Sequence, residues 1–232
     1  MGSIRNRMAV MAHRQAVPAD DPDFFPTPIW GARAGGELVR RLDPKPGLTA
    51  WEPACGAGHM AHGLRDYFSV VRMSDAYAYD GEVRHDFLSD DPPPFVADWI
   101  MSNPPFAYLE AFIRAAWPQA RRGVAMLMRA GALESLGRHA LFYRDCPLTI
   151  FAPFTERLPM HRARWEPDGS SAAFYAWYVF LKPVLRPARF MARHEGALYP
   201  AVMPIPPGTS QRLTRPDDAA LFGVSDRARG LA

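Results

Sequence analysis

Short apolar runs alternate along this chain with stretches whose apolar residues recur at helical spacing. LTAWEP reads as a buried strand running into the turn ACGAG, with HMAHGLRDYF a helix after it. SVVRMSD is a second strand ending on an acid, and HDFL is a short third strand or the end of one. VADWIMS and GVAMLMR are further strands, followed by the helical stretches FAYLEAFIRAAW and GALESLGRHALFYRD. Ahead of them all, TPIWGARAGGELVRRLDP carries helix punctuation at both ends. Thr27 is placed to cap, Pro28 suits the first helical position, and Asp43-Pro44 closes the helix. LTIFAPF and AFYAWYVFL end the series and lie close enough in sequence to pair as an antiparallel hairpin. Strands alternating with helices predict a parallel sheet covered on both faces, with ligands bound at the carboxyl ends of its strands.

The boundaries follow from what surrounds this pattern. Residues 1–22 end in PADDPD and form a loose lead-in, residues 23–182 hold the alternating elements, and residues 183–232 form a proline-rich, aperiodic arm. An apolar fraction of 48% fills a real core, and a net charge of +3 permits a phosphate-bearing partner without demanding one. Cys55 and Cys146 give no disulfide framework, so a reducing cytoplasm is expected. The opening MGSIRNRMAVMAHRQ has no apolar core long enough for a signal peptide, and no run approaches a membrane-spanning length.

Candidate chemistry gathers at three predicted strand ends. In SNPPF, the prolines end the strand before them, since neither can donate to a sheet ladder. What remains is a stiff backbone with free carbonyls beside one amide side chain and one ring, a rigid polar pocket. In EPACGAGHMA, Gly56 and Gly58 let the backbone turn tightly and a ligand approach its amides. With Ala61, they fit the G-x-G-x-x-A dinucleotide pattern, and Asp75 stands where a ribose-binding acid belongs. Glu52 adds a carboxylate at a buried strand end, which is costly unless it meets a cation or donors. A sulfonium cofactor bearing an ammonium group is such a partner, whereas a dinucleotide enzyme has no special use for an acid there.

FFPTP, EPACGAG and SNPPF, in that order, resemble the amino-group DNA methyltransferases that use S-adenosylmethionine, most closely the small N6-adenine enzymes of phages and prophages. The likeness covers residues 23–182. It implies a class I methyltransferase (Rossmann-like) fold, with a mostly parallel seven-stranded sheet flanked by helices and a C-terminal antiparallel hairpin. It implies that Phe25, Thr27 and Pro28 help hold the methionine carboxylate, that Glu52, Pro53, Ala54, Gly56 and Gly58 surround the methionine moiety, and that Asp75 accepts from the ribose hydroxyls. Asp86 and Phe87 match the position where the family binds the cofactor's adenine ring. Asn103, Pro104, Pro105 and Phe106 would form the catalytic pocket. The Asn103 oxygen and the Pro104 carbonyl would accept the two hydrogens of the target amine, Pro105 would leave that carbonyl in a fixed direction, and Phe106 would stack on a flipped base.

No stretch of residues 23–182 is left over for a separate target-recognition domain, so sequence specificity is expected to be short or relaxed, with a separate specificity or partner protein left open. The link from Thr155 to Ala173 carries Arg157, His161, Arg162 and Arg164 with no acid between them, and Trp165 follows at once. These residues are the expected nucleic-acid contact, with Leu158-Pro159-Met160 or the aromatic as a wedge into the gap left by a flipped base. DNA is preferred to RNA as the partner. Cytosine N4 and protein glutamine are weaker alternatives within the same chemistry, and an NAD-binding oxidoreductase or a non-catalytic nucleic-acid-binding subunit lies outside it. His59 and His62, three apart on a predicted helix, read as packing or surface histidines rather than a metal pair, and Cys55 as a small buried thiol.

Overall fold

The computed structural model describes residues 24–77, 83–162, 173–186, 192–194 and 197–222. In chain order, helix α1 (Ile29–Leu42) precedes β1 (Thr49–Glu52), α2 (His59–Leu64), β2 (Val70–Asp75), β3 (Val83–Arg84) and β4 (Trp99–Ser102). Then come α3 (Leu109–Gln119), β5 (Gly123–Arg129), α4 (Arg138–Ala140), β6 (Ile150–Pro153) and β7 (Tyr175–Leu181). The C-terminal arm adds β8 (Ala192–His194), β9 (Ala197–Tyr199), β10 (Ala201–Val202), α5 (Thr209–Leu213) and α6 (Pro216–Phe222).

The main sheet runs β10-β6-β7-β5-β4-β1-β2-β3. Its strands pair in parallel except around β7, which is antiparallel to both β5 and β6. The hairpin expected of LTIFAPF and AFYAWYVFL is therefore present. The sheet has eight strands rather than seven, because β10 adds in parallel to the β6 edge, with Ala201 opposite Ile150.

Alternation along the central strands explains the two-sided core. Trp99, Met101, Leu127, Trp177 and Val179 face one side, while Ile100, Met126, Met128, Tyr178 and Phe180 face the other. Helix α1 covers the first face, and Leu109, Phe112 and Ile113 of α3 cover the second. A Cβ on Gly35 of α1 would lie 2.4 Å from the Trp177 ring, so the glycine is what lets that indole lie against the helix. The same indole donates to the Gly31 carbonyl at 3.0 Å.

Three local expectations are corrected. Helix α1 begins after Pro28, which is its N-cap; Thr27 makes no side-chain capping bond, and the Pro28 carbonyl accepts from the amide of Gly31 instead. The helix does stop at Asp43, whose buried carboxylate accepts from Trp99 Nε1 at 3.0 Å and from Arg122 at 2.6 and 2.7 Å. The third strand lies at Val83–Arg84, just before HDFL. The single helix expected of GALESLGRHALFYRD is broken into a 3-10 turn (Ala130–Leu133), α4 and a π turn (Leu141–Asp145). Glu134 leaves helical geometry after the first turn, with φ −82° and ψ 83°, and the π turn buries Leu141 and Phe142 against the sheet.

The described part of the arm packs on the domain. Arg33 of α1 is 1% exposed and grips the Asp218 carboxylate with two hydrogen bonds, at 2.7 and 2.8 Å, and that of Asp66 at 2.8 Å. Asp218 also accepts from the Arg215 amide at 2.9 Å, which caps α6 from inside its own first turn, with Pro216 at the first helical position. Among the described residues no helix is long and apolar enough to cross a membrane.

Candidate active site

Strands β4, β1 and β2 are parallel neighbours, and their carboxyl ends carry Asn103, Glu52 and Asp75. The chain leaves β1 toward β2 on one side, while β4 lies on the other, and a crevice opens where such a sheet reverses its order. A cleft of about 450 Å³ occupies that crevice. Phe25, Thr27, Glu52, Pro53, Ala54, Gly56, Asp75, Asp86, Phe87, Asn103 and Pro105 all line it. Three motifs far apart in sequence thus meet in one place.

The glycine turn is held from two directions. Gly56 has φ +50° and Gly58 φ +83°, conformations that favour glycine. A Cβ on Gly56 would lie 2.5 Å from the Phe24 ring, so the N-terminal segment rests directly on the turn. From below, Asp75 Oδ2 accepts from the Gly56 amide at 2.8 Å, and Oδ1 accepts from that of Tyr77 at 2.9 Å. Burial pushes the Asp75 carboxyl above its ordinary range, against the opposing pull of the Tyr77, Gly56 and Ala76 amides. Glu52 is 2% exposed, so two carboxylates stand at adjacent strand ends beside one cleft.

Asn103 is oriented by the same N-terminal segment. Its Nδ2 donates to the Phe25 carbonyl at 3.0 Å and faces Met160 Sδ at 3.8 Å. A carbonyl only accepts, so the atom facing it must be nitrogen, and this fixes which end of the amide is which. Asn103 Oδ1 is left buried, with no hydrogen-bond partner among the described residues. Among the described residues the Pro104 carbonyl accepts no backbone hydrogen bond either. The Phe106 ring lies 5.2 Å from that of Phe25 and 6.4 Å from that of Tyr175, with the Arg129 guanidinium 4.7 Å from its centre.

Pro28, Gly58, Pro104 and Phe106 do not line the cleft. Pro28 starts α1, and Gly58 leads into α2, where its carbonyl accepts from the His62 amide at 2.9 Å. Phe106 opens a 3-10 turn, Phe106–Tyr108, at the rim. Asp86 accepts from the Leu88 amide at 2.9 Å, while Phe87 is buried edge-on to Trp51. His59 is buried in the cleft wall, 6.2 Å from the Phe24 ring.

Of the expected nucleic-acid contacts, Arg164 and Trp165 lie outside the described residues. Arg157 and Arg162 are exposed, and Arg157 covers the exposed Phe174 ring at 4.2 Å. Leu158-Pro159-Met160 is not a wedge. Leu158 is 1% exposed and fills the space beside Gly31, and Met160 is buried behind Asn103, so an apolar segment at the core serves the core rather than a base step.

Sequence reasoning passed over Phe24, Tyr77, Tyr108 and Phe112, all of which line the cleft. Tyr77 and Tyr108 are half-exposed rings at its mouth, each a few residues past a strand-end motif, a spacing that the sequence did display.

No protein-family model matches the chain, and no curated protein matches it in sequence. Solved structures do. A candidate class I S-adenosylmethionine-dependent methyltransferase from Listeria monocytogenes superposes with a TM-score of 0.54 at 12% identity, over 84% of this chain and 68% of that one. The methyltransferase subunit of a type I restriction-modification system from Streptococcus thermophilus gives 0.50 at 13%, over 85% and 53%. A candidate RNA methyltransferase from Pyrococcus horikoshii gives 0.50 at 14%, over 78% and 99%. The chain spans about half the length of the restriction-modification subunit. The fold is that of the class I methyltransferases, a mostly parallel sheet flanked by helices.

Proposed function

We propose that this chain transfers a methyl group from S-adenosylmethionine to the N6 amine of adenine in nucleic acid, with DNA preferred to RNA. The observation that carries the reading is the orientation of Asn103. Its nitrogen is held by Phe25, its buried oxygen meets no donor among the described residues, and the Pro104 carbonyl follows it in the chain. Two fixed acceptors at one strand end suit a group with two N–H hydrogens. Adenine's amine is a poor nucleophile because its lone pair is delocalised into the ring. Accepting both hydrogens draws the nitrogen toward tetrahedral geometry and turns its lone pair outward, without a general base. Phe106, beside Phe25 and Tyr175 at the rim, is the ring on which a base extruded from its stack would rest.

The cleft fits the cofactor. Its volume of about 450 Å³ lies within the range of small-ligand sites, about 300–1,000 Å³. S-adenosylmethionine would supply a methyl group on a cationic sulfur. Asp75 keeps lone pairs beyond its two amide bonds for ribose hydroxyls, and Glu52 suits an ammonium group. Thr27, Ala54 and the Gly56 turn would enclose the methionine part, and Asp86 with Phe87 the adenine.

One contact speaks against a dinucleotide. The Gly56 amide, which a pyrophosphate would use, is already taken by Asp75, and a carboxylate at 2.8 Å from it repels phosphate. The preference for DNA rests on the order of the FFPTP, EPACGAG and SNPPF motifs. A partner that supplies sequence specificity belongs to the same reading.

A thermal-shift panel tests the cofactor half of the proposal. S-adenosylhomocysteine is expected to raise the melting temperature in a concentration-dependent way and NAD to leave it unchanged. Stabilisation by NAD alone would refute it.

A further inference from the structure

Six arginines of the fold are committed to carboxylates: Arg33 to Asp218, Arg114 to Asp145, Arg122 to Asp43, Arg138 to Glu110, Arg212 to Glu37 and Arg215 to Asp66. Arg129 is not among them. It is the last residue of β5, exposed, and its guanidinium covers Phe106 at 4.7 Å from the ring centre. That guanidinium makes no hydrogen bond or ion pair with any described residue.

Its backbone, by contrast, is firmly held. Arg129 pairs with Tyr175 across the β5–β7 ladder, and the buried Tyr178 hydroxyl lies 3.0 Å from the Arg129 carbonyl and 2.8 Å from that of Ala130. The next amide, that of Ala130, donates to the Phe174 carbonyl at 2.8 Å. A rigid stem therefore delivers a cation to the ring that closes the SNPPF motif, and leaves its donors uncommitted.

We infer that Arg129 binds a nucleic-acid phosphate next to the target nucleotide and positions Phe106 to receive the base. The inference rests on the nucleic-acid methyltransferase reading and assigns that site a contact outside the Thr155–Ala173 link. A guanidinium is a planar fork of donors that matches a phosphate's oxygens, and its flat face stacks on an aromatic ring. One side chain thus ties the backbone of the extruded nucleotide to the surface on which its base rests. Stacking on Phe106 holds the fork in place before the nucleotide arrives, so less side-chain freedom is lost on binding.

The test compares Arg129→Gln and Arg129→Lys with the wild-type chain. Binding of a fluorescent DNA duplex is measured across a salt series, with steady-state methyl transfer measured alongside. Arg129→Gln is expected to lower the log–log salt slope by about 0.9, one phosphate's worth on duplex DNA, and to raise KM for DNA about tenfold. Arg129→Lys is expected to restore the slope but not KM, since an ammonium neutralises a phosphate without offering the fork or the stacked plane. The shift produced by S-adenosylhomocysteine stays as in the wild type. A wild-type slope and wild-type KM in Arg129→Gln would overturn the inference while leaving the methyltransferase reading intact. A wild-type chain that neither responds to S-adenosylhomocysteine nor labels nucleic acid would overturn both.

Discussion

Asn103 and Phe25 stand 78 residues apart in the chain and meet through one hydrogen bond, Asn103 Nδ2 to the Phe25 carbonyl at 3.0 Å. The bond joins the end of β4 to the segment that leads into α1, and it decides which way the amide oxygen faces. Replacing Asn103 by Asp removes the donor and sets a carboxylate against a carbonyl. Turnover is expected to fall at least about a hundredfold, the usual scale for losing a preorganised contact to the reacting group. S-adenosylhomocysteine should still stabilise this variant in a thermal-shift assay, because Asp75 and the glycine turn are untouched.

Asp75→Ala should act on the cofactor. Two charge-assisted hydrogen bonds to ribose, each worth about 1.5–3 kcal/mol, would vanish, and the Gly56 amide would lose its acceptor. Affinity for S-adenosylhomocysteine by calorimetry is expected to drop at least about tenfold. An unchanged affinity would move the ribose contact to another acid.

The clamp between α1 and the arm should govern acid stability. Burial pulls the Asp218 carboxyl upward, but Arg33 and the Arg215 amide outweigh it and hold it below the ordinary range. Burial also pulls Asp43 upward, and Arg122 with Trp99 outweighs it. A carboxylate lowered in the folded state stabilises above its unfolded pKa of about 4, and that contribution is lost as pH falls through the folded value. The melting temperature should therefore fall below about pH 4, and Asp218→Asn should flatten that acid limb. Asp218→Ala leaves Arg33 buried with Asp66 as its remaining carboxylate, and should cost about 3 kcal/mol at neutral pH in denaturant unfolding. A melting curve that ignores this substitution would mean that the arm is not fastened there.

The cleft was legible in the sequence because strand ends are local events. A proline pair stops β4, two glycines turn the chain after β1, and an acid closes β2, so the positions of Asn103, Gly56 and Asp75 follow from neighbours alone. The arm was not legible. Arg33 finds Asp218 across 185 residues, and β10 finds β6 with Ala201 opposite Ile150, and neither pairing leaves a periodic trace. Leu158-Pro159-Met160 misled for a related reason: apolar residues next to arginines look the same whether they face solvent or fill the space behind Asn103. Thr27 looked like a cap because caps share its chemistry, but the helix begins a residue later than its signal.

The arginines of the Thr155–Ala173 link give a separate expectation. Replacing Arg157, Arg162 and Arg164 together by alanine should weaken DNA binding and reduce its salt slope by about three phosphates' worth, with S-adenosylhomocysteine affinity unchanged. Arg157 covers one face of the exposed Phe174 ring at 4.2 Å, so its single substitution should uncover that face as well. Normal DNA binding at every salt concentration would make the link a solvated connection.

The central claim is best tested by incubating the chain with DNA, RNA and methyl-labelled S-adenosylmethionine, then resolving the digested nucleosides by mass spectrometry. The account predicts label on the N6 position of adenine, in DNA more than in RNA, and a loss of at least about a hundredfold in Asn103→Ala. Label on cytosine or on protein, or undiminished adenine label in Asn103→Ala, would contradict it.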